Sequence, residues 1–476
     1  MIAQKSGEVV LEQGFAIVVD VGKTVSKVSL WSRTGMMVDR QVRSNVVIER
    51  DGIRRLDAGG IGAWLVSALA AYSAHPVEYI VPVSHGAGVA AIVDGELAFA
   101  PLDYEQEIPE ETAAAYRVLR DPFALTGSPA LPQGLNIGAQ LFWLEQLEGA
   151  ALRSAVLMPW AQYWAWFLSG KAVSEVTSLG CHSDIWCPSS GEFSPLAQNR
   201  GWAGRFAPLA SAGDVVGNLR PDLATATRLP TNVKILAGLH DSNAALLAAR
   251  GFAALINREA TVLSTGTWFI AMRTPGQSID GTELPEERDC LVNVDAYAQP
   301  VPSARFMGGR EIETVIGIDT RRVDIKPDQP ALLATVPALL RDEVMMLPTL
   351  APGCGPFPEL SARWIGEPAD WFARRAAVCL YAALVADVAL DLIGSTERFL
   401  IEGRFAEAQV FTRALAALRP ATQIYTANAH NDVSFGALRL IDPKLQPEGE
   451  LTQVTALPGD FNRYRDRWRS ALEQRS

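Results

Sequence analysis

Two segments far apart in the chain share one design. Residues 15–31 read FAIVVDVGKTVSKVSLW and residues 260–272 read ATVLSTGTWFIAM. Each joins an apolar, β-branched run through a tight turn of Gly and hydroxyl side chains to a second apolar run, which predicts a buried hairpin. One such hairpin lies in each half of the 476-residue chain. Chains of this length also exceed what a single core accommodates, so two domains are expected. Between the hairpins, residues 237–249 read AGLHDSNAALLAA, placing an acid in a Gly-led turn that opens a helical stretch. Two Gly/Thr turns facing one carboxylate suit a phosphate clamp with a general base, and so point to phosphoryl transfer.

Around the hairpins, strands and helices alternate. In the first half, the patterns predict strands at 15–20, 26–31, 36–43 and 79–83, and helices at 61–72, 135–147 and 160–168. A hairpin within residues 84–99 turns at Asp94-Gly95. In the second half, a strand pair at 261–272 is followed by a long helix at 371–392, a strand at 398–402 and a helix at 407–418. A strand at 422–426 and a helix at 434–440 close the pattern. The alternation implies an α/β class. The repeated order implies duplication, with lobes 1–250 and 251–476 meeting near Arg250. No Pro/Gly/Ser linker separates them, so the lobes are expected to pack closely around a cleft.

Composition excludes several partners. A net charge of −11 with no Lys/Arg block argues against nucleic acid, whose phosphates reward clustered cations. The longest apolar region, 376–390, is interrupted by Asp387 and too short to span a bilayer. Five scattered cysteines form no metal framework and fit a reducing compartment. The N-terminus shows no basic stretch followed by an apolar core, so a cytoplasmic protein away from membranes is expected.

Gly22-Lys23-Thr24 imitates a P-loop, but that motif requires Gly at position 17, where Ile17 stands within a strand. The alternative is a hairpin turn whose backbone N–H groups and Thr24 hydroxyl line an anion site. Asp20 then faces phosphate through a hydrated Mg²⁺, or else simply shapes a tight turn with Gly22. Ser264-Thr265-Gly266-Thr267 is either a second phosphate turn or an ordinary Thr-rich hairpin. Asp241 suits a base that deprotonates an attacking hydroxyl, and it also suits a helix N-cap. The two roles are compatible. His240 either holds a substrate hydroxyl or is structural.

DVGKTVSK, AGLHDSNAALLAA, LSTGTW and IEGRFAEAQVFTRALAALRP together resemble the successive motifs of the FGGY carbohydrate kinases. These belong to the sugar kinase/actin/heat-shock ATPase superfamily. The resemblance runs over essentially the whole chain. SHGAGVAAIVDGE, PLDYE, LPQGLNIGAQLFWL, QYWAWFLSGKAVSEVTSLGCHSDIW and RFMGGRE look most like its L-fuculokinase and L-rhamnulokinase branch. The resemblance implies two actin-like, ribonuclease H-like α/β lobes with a central cleft. The first lobe carries the sugar site, the first phosphate loop and the catalytic acid, and the second binds nucleotide. ATP and Mg²⁺ are the implied cofactors, a sugar the implied partner, and a homodimer is suggested by analogy.

By position, Asp241 matches the catalytic base, His240 a substrate-side neighbour and Asp20 the acid that supports Mg²⁺. Gly22, Lys23, Thr24 and Lys27 match the first phosphate loop, and Thr265, Gly266 and Thr267 the second. Gly403 falls at the turn that packs on adenosine, with Arg404 beside it. His85, Gly86, Asp103, Tyr104, Glu105 and Glu175 are candidate sugar contacts. Two positions depart from the family pattern: Arg404 replaces a Gly, and Ala408 stands where Asn is common. Arg404 either stacks on adenine or narrows the pocket. The expected reaction is ATP-dependent phosphorylation of a ketose such as L-rhamnulose or L-fuculose, with xylulose-type pentuloses or glycerol as alternatives. A sugar sensor with weakened catalysis is the reading from a different class.

Overall fold

Both predicted hairpins open a sheet in the computed structural model, which describes residues 14–274, 284–320, 322–427 and 433–474. The first sheet contains β1 (Phe15–Val21), β2 (Val25–Ser32), β3 (Met37–Ser44), β4 (Val77–Ser84), β5 (Val215–Asn218), β6 (Lys234–Leu236) and β7 (Leu239–His240). Its order is β5-β6-β4-β1-β2-β3, with β7 also on β4. The second contains β8 (Ala260–Thr265), β9 (Phe269–Thr274), β10 (Cys290–Val294), β11 (Pro300–Phe306), β12 (Arg398–Gly403), β13 (Gln423–Ala427) and β14 (Leu451–Gln453), in the order β10-β11-β9-β8-β12-β13-β14.

The path β3-β2-β1-β4-β6 matches β11-β9-β8-β12-β13 strand for strand. In each, the first three strands are antiparallel and the last two run parallel to the opening strand. This is the two-lobed, actin-like α/β fold. β1 and β8 are central in their sheets and buried over most of their length, with Asp20 near the end of β1 and an exposed Ser264 near the end of β8.

Helices follow the predicted positions with small shifts. α1 (Ala58–Ala70) starts earlier than its apolar period suggests, because Asp57 caps it by accepting from Gly60 N–H. α2 (Trp160–Ser169) packs its aromatic face under the first sheet with Leu30, Ile80 and Leu65. The Asp94-Gly95 turn forms, and its hairpin joins Val156–Pro159 in a small three-stranded sheet.

α3 (Asp241–Ala249) lies between the lobes. Ala244, Leu247 and Ala248 pack on Ala16, Val18, Val81 and Val83 of the first sheet. Leu246 and Ala249 pack on Val262, Met272 and Leu400 of the second. α4 (Trp371–Leu392), capped by Asp370, fills the second core, and α5 (Gln409–Leu418) covers it. The following helix, α6 (Val433–Leu438), returns to the first sheet's core through Phe435, Ala437 and Leu438. A single cut at 250/251 therefore does not follow the packing, since α6 lies against α3 and β1. Gly436 makes that crossing possible: a Cβ there would stand 1.7 Å from the Ala244 carbonyl oxygen. No described helix is long and apolar enough to cross a membrane.

Candidate active site

The first turn is built around close backbone contacts. Gly22 N–H donates to Val25 O at 3.1 Å, and a Cβ on Gly22 would stand only 2.8 Å from that oxygen. Asn45 staples the turn from the end of β3. Its Nδ2 donates to Gly22 O and its N–H to Thr24 O, both at 2.8 Å. Asn45 had no local signal, because it lies on a different strand from the motif it holds. Thr24 is left at the exposed tip.

Asp20 and Lys27 face each other across β1 and β2, with Lys27 Nζ 3.4 Å from Asp20 Oδ2. Asp20 is nearly buried at 4% exposure. The Lys27 charge also acts on Asp241, which ties the two acids to the same end of the sheet.

Asp241 opens α3 at the end of β7. His240, not Asp241, is the N-cap, and its side chain makes no capping bond. The N-cap alternative for Asp241 therefore falls away; as an acid in the first turn, Asp241 still gains from the helix dipole. Its side chain is 31% exposed and borders a cavity of about 220 Å³ also lined by Ser242, Val262, Ser264, Ile270 and Glu402. The cavity lies between the lobes, so one carboxylate faces the second hairpin from a helix anchored on the first sheet. Burial pushes the Asp241 carboxyl up, while His85, Ser242 and Lys27 draw it back. Ser242 Oγ donates to Asp241 Oδ1 at 3.3 Å, and His240 Nε2 stands 3.2 Å from the same oxygen. Burial lowers His240 to about 4, so it is neutral at physiological pH.

The other sugar-side candidates divide into two groups. His85, Gly86, Asp103, Tyr104 and Glu105 form one group, and the Asp241 charge acts on His85 and Tyr104 within it. His85 Nδ1–H donates to the Gly86 carbonyl at 2.7 Å, and its ring meets Tyr104 edge-on at 5.3 Å. Burial lowers the His85 pKa, with the Gly86 carbonyl and Asp241 opposing. Gly86 leaves room for His240, whose Nε2 would lie 2.9 Å from a Cβ there. Burial holds the Tyr104 phenol at about 12.

Glu175 is not in this group. It is fully buried and accepts from Thr177 N–H at 3.0 Å and from the Thr177 hydroxyl at 2.5 Å. The same hydroxyl accepts His240 N–H at 2.9 Å. Glu175 thus supports the residue before Asp241 from behind and presents no surface to the cleft, which corrects its expected place as a sugar contact. Gln162, also buried, adds a second support by donating to Ala237 O at 3.2 Å and Gly238 O at 3.1 Å.

The second turn also differs from expectation in detail. Thr265 is 2% exposed, and its hydroxyl donates to Glu402 O at 2.5 Å and accepts Phe405 N–H at 3.1 Å. That hydroxyl joins β8 to the loop after β12 rather than facing the cleft. Gly266 and Thr267 remain at the surface of the turn, braced by Gly309, where a Cβ would lie 1.8 Å from Gly266 O. Gly403 has φ +84° and ψ −168°, a conformation restricted to glycine, and a Cβ there would stand 2.3 Å from Thr265 O. Arg404 donates to Glu313 Oε1 at 3.1 Å and Thr320 Oγ1 at 2.8 Å, so its guanidinium is anchored inside the second lobe.

Among the described residues no three His, Cys, Asp or Glu side chains gather as a metal cage. One or two hard carboxylates beside a phosphate-sized turn still fit a hydrated Mg²⁺ shared with phosphate, which needs few protein ligands.

Comparison with known proteins agrees with this architecture. A family model described as carbohydrate kinase FGGY, C-terminal domain, matches residues 257–448. L-fuculokinase from Salmonella typhi is 34% identical over 133 residues, covering 28% of this chain and 27% of that protein. The crystal structure of a carbohydrate kinase from Novosphingobium aromaticivorans shares 65% identity and superposes with a TM-score of 0.95, covering 97% of this chain and 99% of that one. Plasmodium falciparum glycerol kinase with ADP, at 11% identity and a TM-score of 0.79 over 97% of this chain and 98% of that one, shares the fold. A two-lobed fold with an acid at the head of the interlobe helix, and a near-full-length relative at this identity, together establish that the chain belongs to the FGGY carbohydrate kinase family.

Proposed function

We propose that this protein transfers the γ-phosphoryl group of ATP to a hydroxyl of a ketose such as L-rhamnulose or L-fuculose, with Asp241 as general base. The observation that carries this reading is the placement of Asp241 at the head of α3, in a cavity between the lobes with Ser264 opposite. Asp241 accepts the hydroxyl proton as the oxygen attacks phosphorus, and the oxygen–phosphorus bond to the leaving ADP breaks. The raised Asp241 pKa supports proton uptake, with His85, Ser242 and Lys27 opposing the rise.

His85, Gly86, Tyr104 and Glu105 line the sugar side in this reading, with Asp103 buried behind them and His240 beside the base. Gly22, Thr24, Lys27, Gly266 and Thr267 serve the phosphates, and Gly403 shapes the adenosine wall. Thr265 and Arg404 act there by holding the wall's backbone and depth. Asp20 would hold a Mg²⁺, which would supply neutralising charge to the phosphates. Closure of the lobes on α3 excludes water and limits ATP hydrolysis.

The test is a substrate panel of L-rhamnulose, L-fuculose, D-xylulose, gluconate and glycerol with ATP and Mg²⁺, read as ADP release and product mass. Phosphorylated ketose is expected. Sugar binding with no product from any member would replace this reading with that of a sugar sensor.

A further inference from the structure

Lys23 lies within the first phosphate turn, yet its ammonium is committed elsewhere. It donates to Asp103 Oδ1 and, at 3.3 Å, to Glu105 Oε2, and it sits 5.0 Å above the Tyr104 ring. Its side chain is only 11% exposed, so these contacts are its environment rather than one pose of a solvated chain. Asp103 is fully buried; besides Lys23 it accepts Glu105 N–H at 2.9 Å and faces Arg54 at 3.5 Å. Arg54 also donates to Glu105 at 3.1 Å, but at 42% exposure it forms the outer rim. Tyr104, held under Lys23, touches His85, on which the charges of Asp241 and Lys23 both act. A set of contacts therefore runs from the phosphate turn through Lys23 to the sugar-side loop and His85, which senses the Asp241 charge.

Resting on the kinase reading above, we propose that Lys23 is a positioning residue of the sugar site, fixing Asp103, Tyr104 and Glu105, and is not a ligand of the nucleotide. A buried carboxylate needs a close counter-charge to stay ordered, and Arg54 at the rim is too exposed to supply it alone. Removing Lys23 loosens the loop that Tyr104 and Glu105 share with Asp103. The sugar then loses its preorganised wall, while the N–H groups of the turn, held by Asn45, still meet phosphate.

The experiment compares wild type with Lys23→Met, Lys23→Gln, Asp103→Asn and the Lys23→Met/Asp103→Asn double variant. Steady-state KM is measured for the ketose turned over fastest among L-rhamnulose, L-fuculose and D-xylulose. Affinity for the non-hydrolysable analogue AMP-PNP with Mg²⁺ is measured by calorimetry, which also reports that each variant is folded. Both Lys23 variants should raise the sugar KM about tenfold or more, with kcat and AMP-PNP affinity within about threefold of wild type. The double variant should lose less than the two single variants added together, because Lys23 and Asp103 hold the same loop. A tenfold loss of AMP-PNP affinity, an unchanged sugar KM, or additive effects in the double variant would each overturn the proposal. If wild type phosphorylates none of the ketoses, the ketose-kinase reading fails, and the AMP-PNP arm still decides whether Lys23 serves the nucleotide.

Discussion

Replacing Glu175 by Gln should change how stability depends on pH, with a magnitude set by its burial. Glu175 is completely enclosed, and the two hydrogen bonds from Thr177 only partly offset the loss of solvent. Burial raises its carboxyl from an ordinary value of 4.5 to about 7. At about 1.4 kcal/mol per pH unit, ionising Glu175 costs the native state roughly 3 kcal/mol. Because the folded protein holds this proton more tightly than the unfolded chain, the contribution is fully present below about pH 4.5 and is lost as pH rises through about 7. The Gln variant has no such proton. Urea denaturation of both proteins, at about pH 4.5 and about pH 8, isolates the term as a difference of differences, since other groups titrate alike in both. The variant should gain roughly 3 kcal/mol on wild type between the two conditions. Parallel pH profiles would refute the reasoning and return Glu175 to an ordinary, solvated carboxylate.

Two glycines give sharper structural tests. Gly436→Ala places a Cβ 1.7 Å from Ala244 O, so α3 and α6 must separate; a loss of about 1–3 kcal/mol or more is expected. Because α3 carries Asp241, kcat should fall more than sugar KM rises, and unchanged kinetics would show that the crossing does not position the acid. Gly403→Ala forces a side chain into a glycine-only conformation and against Thr265 O, at a strain of about 1–3 kcal/mol. Its expected signature is weaker AMP-PNP binding with sugar binding retained, and equal loss of both would place the turn outside the nucleotide wall.

The two hairpins were legible because they are local: apolar runs of strand length and a Gly/Thr turn suffice to specify them, and β1–β2 and β8–β9 formed where expected. Asp241 stood out because a Gly-led turn feeds directly into its helix. What local pattern does not carry is the partner of each polar side chain. Lys23 in a Gly/Thr turn reads as a phosphate ligand, but its acidic partners come from a loop distant in sequence. Thr265 reads as a phosphate hydroxyl, but parallel pairing of β8 with β12 brings Glu402 O within its reach. Glu175 reads as a polar contact until the packing of Thr177 against His240 shows it sealed behind the base. The return of α6 to the first lobe was equally hidden, since its apolar face fits either core and only the Gly436–Ala244 approach selects one.

Asp241 as the proton acceptor is open to the most direct test. Asp241→Asn preserves size and the helix start while removing the basic oxygen. Turnover of the ketose should fall roughly 10²-fold or more, with sugar affinity by calorimetry essentially unchanged. Turnover within a few-fold of wild type would contradict the central claim and remove Asp241 from the chemistry.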